Sequence, residues 1–83
     1  MITVQQIRGG RAMLRWSAKK LSEMSGVSLP TIQRMEGARG LLRSSVESVL
    51  KVQQALEDAG ITFIDAEEEE GPGVRLKAEK TNP

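Results

Sequence analysis

A mainly α fold with a short two-stranded β element at its C-terminal end is predicted by three features of the sequence. Apolar residues recur at helical intervals from Val4 to Ala59. Serine and threonine caps punctuate that pattern, with glycines at the breaks between elements. After Gly60 the composition switches to two short runs of alternating β-branched and aromatic residues.

The first helix opens on Thr3-Val4-Gln5-Gln6, a capping-box pattern in which a threonine hydroxyl and a glutamine side chain satisfy each other's orphan backbone N–H groups. Ile2 and Ile7 flank it as a hydrophobic staple, and Val4, Ile7 and Leu14 form the apolar stripe. Gly9 and Gly10 each cost about 1 kcal/mol relative to alanine in a helix. They either weaken the helix or admit a close neighbour, and the sequence leaves both open. Trp16 reads as a core anchor.

From Ser17 to Glu36 the chain reads SAKKLSEMSGVSLPTIQRME, two short amphipathic helices joined at Gly26-Val27-Ser28. Ser17 and Ser28 stand at the two N-cap positions, and Pro30 lies in a first turn, where a missing N–H costs nothing. Glycine at 26 permits the positive φ that ends one helix and turns into the next. Leu21, Met24, Val27, Ile32 and Met35 are the expected buried positions. This spacing is that of a DNA-binding helix-turn-helix, with an ordinary helical hairpin as the alternative.

Gly37 to Arg43 reads as a loop, Ser44 to Glu47 as a second capping box, and Val49, Val52, Leu56 and Ala59 as one face of a fourth helix ended by Gly60. Ile61 to Asp65 and Gly73 to Lys77 read as strands, separated by the acidic run Glu67 to Glu70, a solvated turn without fixed metal geometry. The expected organisation is a helical domain over 1–60, a β-hairpin extension over 61–77 and a disordered tail over 78–83. A lone hairpin is marginal in water, so an intermolecular, dimerising contribution is expected of Ile61, Phe63, Val74 and Leu76.

Composition narrows the function classes. The 83 residues contain no Cys, His or Tyr, which removes disulfides, thiolate metal sites and the commonest catalytic base. No enzyme, cofactor or metal role is expected, and no catalytic residue is assigned. No apolar run reaches membrane-spanning length and the N-terminus lacks a signal-peptide layout, so a cytoplasmic protein with no membrane partner is expected. The formal charge of +1 conceals an asymmetry. Residues 1–54 carry nine Lys/Arg against three Asp/Glu (+6), residues 55–83 three against eight (−5), and the two sum to +1. A basic body suits phosphate binding, although two solvated faces of opposite sign would give the same balance.

The stretch from Ile7 to Leu56, about two-thirds of the chain, resembles the Cro/C1-type helix-turn-helix regulators, the XRE family. Arg11, Leu14, Ser17, Leu21, Gly26-Val27-Ser28, Ile32, Met35-Glu36-Gly37 and Leu56 carry the resemblance, with GVSLPTIQRMEG its most specific run. The segments GITFID and GPGVRLK look like those of a compact bacterial subgroup with an appended β-hairpin. The resemblance implies a four- to five-helix, lambda repressor-like DNA-binding domain, usually dimeric, that regulates transcription, often from its own promoter.

In such modules the second helix of the motif enters the major groove. The base-reading candidates are then Leu29, Pro30, Thr31, Gln33 and Arg34, with Arg34 able to donate two hydrogen bonds to guanine. Leu29 and Pro30 offer apolar contact to a thymine methyl, and Gln33 suits adenine or a phosphate. A surface arginine paired with Gln33 or Glu36 is the alternative for Arg34. The phosphate candidates are Ser17, Ala18, Lys19, Lys20, Ser28, Arg39 and Arg43. Lys19 and Lys20 occupy the end of a helix that disfavours positive charge, which a docked phosphate would correct. Ala18 departs from the family, where a phosphate-contacting glutamine usually follows the cap. Arg11 and Glu36 resemble the family's internal ion pair, a positional role.

The expected function is a sequence-specific transcriptional regulator, a repressor that binds a palindromic operator as a homodimer, with its own promoter a candidate target. Half-sites about 34 Å apart would match the two recognition helices. The alternative is an antitoxin-like or anti-activator module that engages a protein partner through its C-terminal β element.

Overall fold

Four helices and one antiparallel strand pair enclose a single apolar core in the computed structural model, which describes residues 1–78 without the side chains of Leu42 and Arg43. The helices are α1 (Val4–Leu14), α2 (Ala18–Ser25), α3 (Leu29–Met35) and α4 (Val46–Asp58), with a 3-10 turn at Gly40–Arg43. Strands β1 (Ile61–Ile64) and β2 (Gly73–Leu76) follow, each one residue shorter than expected. The tail expected to be disordered lies, from residue 79 on, outside the described residues.

The caps that start the first three helices are those read from the sequence. Thr3 and Gln6 form the reciprocal capping box of α1, Ser17 accepts from the Lys20 N–H, and Ser28 accepts from the Thr31 N–H. Helix α4 differs. Ser45, not Ser44, is extended at the cap and accepts from the Ser48 N–H, so the expected Ser44–Glu47 box does not form and Glu47 sits in the first turn, where its charge complements the helix dipole. Part of the expected Gly37–Arg43 loop is the 3-10 turn.

The core joins all the elements. Ile7, Leu21, Ile32, Met35, Val49, Val52, Leu56 and Ile61 are essentially inaccessible to solvent, each side chain contributing about 1.5–3 kcal/mol by leaving water. Met24 is 52% exposed, contrary to expectation: α2 has only two turns, and Leu21 alone supplies its fully buried contact. Trp16 packs at the margin of the core, and Ala59 caps α4 beside the positive-φ Gly60 while Ala55 completes the buried face.

The strand pair is continuous with this core. Ile61 pairs with Leu76, Phe63 with Val74, and a further bond from the Lys77 N–H to the Gly60 carbonyl (2.8 Å) extends the ladder. Ile61, expected to face a second copy, is 1% exposed and occupies its own chain's interior, which leaves it no surface to offer. Phe63 and Val74 are half-buried against the same core, and Leu76 remains 47% exposed.

Two features of α1 explain how the strands seat. A β-carbon at Gly10 would lie 3.5 Å from Leu56 Cδ2 and 3.6 Å from Ile61, and one at Gly9 only 3.1 Å from Val74 Cγ2. Close approach, one of the two readings left open for these glycines, is realised at Gly9, whereas the space beside Gly10 would admit a methyl at ordinary contact distance. Gln6, 4% exposed, donates from Nε2 to the Ile64 carbonyl (3.1 Å) and the Gly73 carbonyl (2.9 Å), while its Oε1 accepts from the Thr3 N–H (2.8 Å). One capping side chain thereby starts α1 and ties down the loop end of the strand pair, where Ile64 faces Gly73.

Candidate functional site

The turn between α2 and α3 is braced by its own serines. Gly26 adopts φ 75° and its N–H reaches the Ser22 carbonyl at 3.0 Å. Ser22 Oγ donates to the Val27 carbonyl (2.6 Å), and the Val27 N–H donates to Ser25 Oγ (3.1 Å), so the polar groups of the turn are satisfied while the Val27 side chain is buried. Leu21 before the turn and Ile32 after it enter the same core, which fixes the two helices as a unit.

Helix α3 presents a polar outer side. Pro30, Gln33 and Arg34 are exposed, and Leu29 and Thr31 half-buried. Along this side Ser28, Thr31 and Arg34 form a hydrogen-bonded row: Ser28 Oγ lies 2.9 Å from Thr31 Oγ1, and Arg34 Nη2 donates to Thr31 Oγ1 at 3.0 Å. The expected alternative partners of Arg34, Gln33 and Glu36, do not take it. Thr31 does.

Exposed basic residues lie in this helix pair and directly after it in the chain. Lys19 and Lys20 are exposed in the first turn of α2, beside the exposed Ser17 and half-buried Ala18. Neither α2 nor α3 has an acidic residue in its first turn. Arg39 is exposed beyond α3, whereas the phosphate role expected of Arg43 falls on a side chain outside the description. Among the described residues none of Lys19, Lys20, Arg34 and Arg39 has a carboxylate within ion-pair distance; the two ion pairs found are Arg11–Glu36 and an exposed Lys51–Glu47 contact at 4.0 Å.

Arg11 holds the group together. Its Nε and Nη2 donate to the two Glu36 oxygens at 2.8 and 2.6 Å, and its Nη1 donates to the Trp16 carbonyl at 2.9 Å. A side chain on α1 thus fixes both the entry to α2 and the end of α3. The hydrogen bond to Glu36 raises the Arg11 pKa above its ordinary value, with burial opposing and the Glu36 charge adding to the rise.

Two polar residues escaped the sequence reading. Arg15 caps α1 in the left-handed conformation (φ 57°) and adds an exposed cation two positions before Ser17; nothing in an arginine signals that geometry, although its place between the Leu14 stripe and a capping serine marks a helix end. In the sequence Gln6 signals only a cap, because its bonds to β1 and β2 span 58 and 67 positions.

At the far end of the strand pair a cavity of about 340 Å³ is lined by Ile64, Asp65, Glu67, Glu70, Gly71, Gly73 and Arg75. Among the described residues no group of three or more His, Cys, Asp or Glu is placed to hold a metal ion, and no helix is long and apolar enough to cross a membrane. No known family, curated protein or solved structure matches the chain.

Proposed function

We propose that this chain is a sequence-specific DNA-binding regulator with a Cro/C1-type arrangement, in which α3 enters the major groove and the surrounding lysines and arginines engage phosphates. The observation that carries the reading is the pairing of a rigidly seated α3, exposing Pro30, Gln33 and Arg34, with cations that have no acidic partner among the described residues. Exposed cations around a short helix supply the salt-dependent affinity such binding needs, and the helix supplies the base contacts. Arg34 reads guanine, Gln33 reads adenine or braces a phosphate, and Leu29 and Pro30 meet thymine methyl groups.

A repressor acting in the cytoplasm as a homodimer on a palindromic operator fits a domain of this size, since one short helix contacts few base pairs and a dyad doubles them. Leu76 at the strand pair and Val46 and Leu50 on α4 are among the exposed apolar side chains available to a second copy. Fluorescence anisotropy with duplex DNA from upstream of the gene, against a scrambled duplex at two salt concentrations, tests the function. Selective binding that weakens as salt rises supports it; equal, weak binding to both favours a protein-partner role. That second reading rests on the acidic segment from Asp65 to Glu70 and the exposed Ile64 before it on β1, an outer strand of the pair suited to adding a strand from a basic partner.

A further inference from the structure

From the hydrogen-bonded row on α3 we infer that Thr31 is a positioning residue, whose hydroxyl holds the Arg34 guanidinium with one complete donor edge turned to guanine. The inference rests on the DNA-binding reading above and gives the row a division of labour: Ser28 orients Thr31, Thr31 orients Arg34, and Arg34 alone meets the base.

The bonding capacities allow it. A guanidinium only donates, so Thr31 Oγ1 must accept from Arg34 Nη2. Ser28 Oγ already accepts from the Thr31 N–H, and one of the two hydroxyls donates to the other across 2.9 Å. Whichever hydroxyl donates, a single hydroxyl proton and a single lone pair remain unused, while Arg34 keeps every N–H but one. Nη2 carries two hydrogens, one on the edge shared with Nε and one on the edge shared with Nη1. Engaging either with Thr31 leaves the other edge intact as a two-donor fork.

A donor-rich row selects an acceptor-rich partner. Guanine presents O6 and N7, both acceptors, to the major groove, whereas adenine sets an amino group beside its N7 and would oppose one donor with another. An exposed arginine also loses rotamer freedom when it binds, and a side chain already held by Thr31 loses less. Thr31 therefore sharpens discrimination at one base position without reading it.

Thr31→Val keeps the side-chain shape and removes the hydroxyl, Thr31→Ser keeps the hydroxyl, and matching thermal unfolding midpoints verify that both variants fold. In the DNA-free protein, NMR relaxation of the Arg34 Nε–H group is expected to show greater mobility in Thr31→Val and wild-type order in Thr31→Ser. In selection from a pool of randomised duplexes, wild type and Thr31→Ser are expected to enrich guanine at one position per half-site. Thr31→Val should lose about tenfold of that preference at an unchanged salt slope. Unchanged guanine preference in Thr31→Val, or an equal loss of affinity for every duplex, overturns the positioning role and leaves the DNA-binding reading standing. If wild type enriches no sequence, the DNA-binding reading falls and this inference falls with it.

Discussion

Arg11 and Glu36, 25 positions apart, meet in a two-pronged ion pair of 2.8 and 2.6 Å that ties α1 to the end of α3. Their side chains are 20% and 12% exposed, so removing one strands the other in a poorly hydrated place. Glu36→Gln or Arg11→Ala should lower unfolding stability by about 1–3 kcal/mol in urea titrations. Arg11→Lys should not rescue it, because an ammonium cannot reach both oxygens and the Trp16 carbonyl together. Glu47→Gln, at the exposed 4.0 Å contact with Lys51, should leave the curve unmoved. The raised Arg11 pKa fixes the sign of any pH effect: the group's contribution is complete below its ordinary pKa and is lost only as pH climbs through the raised value. Stability measured from neutral to mildly alkaline pH should show no decline from this group.

Gln6 fastens the loop end of the strand pair to α1. Gln6→Leu, similar in volume, leaves two carbonyls and the Thr3 N–H without their partner and should cost about 1–3 kcal/mol. Hydrogen exchange should locate the damage, with amides of β1 and β2 exchanging faster while those of α3 keep their protection. Uniformly faster exchange would contradict the clamp.

Adjacent glycines should respond differently to alanine. At Gly10 the new methyl meets Leu56 and Ile61 at ordinary contact distances, so Gly10→Ala should gain up to about 1 kcal/mol from helix propensity. At Gly9 it would sit 3.1 Å from Val74 Cγ2 and forfeit that gain. Combining Gly9→Ala with Val74→Ala, which removes the clashing methyl, should recover it, and a double-mutant cycle of thermal unfolding reads the coupling.

On the proposed DNA surface, Arg34→Ala should relax preference at one base position per half-site, while Lys19→Ala should weaken all duplexes together and lower the salt slope by about one. Competition binding with single-base operator variants separates the two effects. Equal weakening of every sequence by Arg34→Ala would remove its role as a base reader.

What the sequence made legible is local chemistry. Thr3, Ser17 and Ser28 are caps because a hydroxyl can satisfy an N–H three residues ahead, and Gly26 turns the chain because its φ is unrestricted. Where two serines adjoin, that rule cannot choose, and Ser45 rather than Ser44 takes the cap. Longer-range facts were beyond it. Whether Ile61 faces its own core or another copy depends on how the strand pair docks, which Gly9 and Gln6 decide from the other end of the chain. At the candidate site the exposed residues of α3 were legible from helical spacing. The Thr31–Arg34 bond was not, since side-chain rotamers choose it.

The most direct test of the central claim is an NMR titration of the protein with duplex DNA from upstream of its gene, following backbone amide shifts residue by residue. Perturbations concentrated on Leu29 to Arg34 and around Lys19 and Lys20, shrinking as salt rises, are the expected result. Perturbations confined to residues 61–77, or a spectrum unmoved by duplex, would contradict a DNA-reading role for α3.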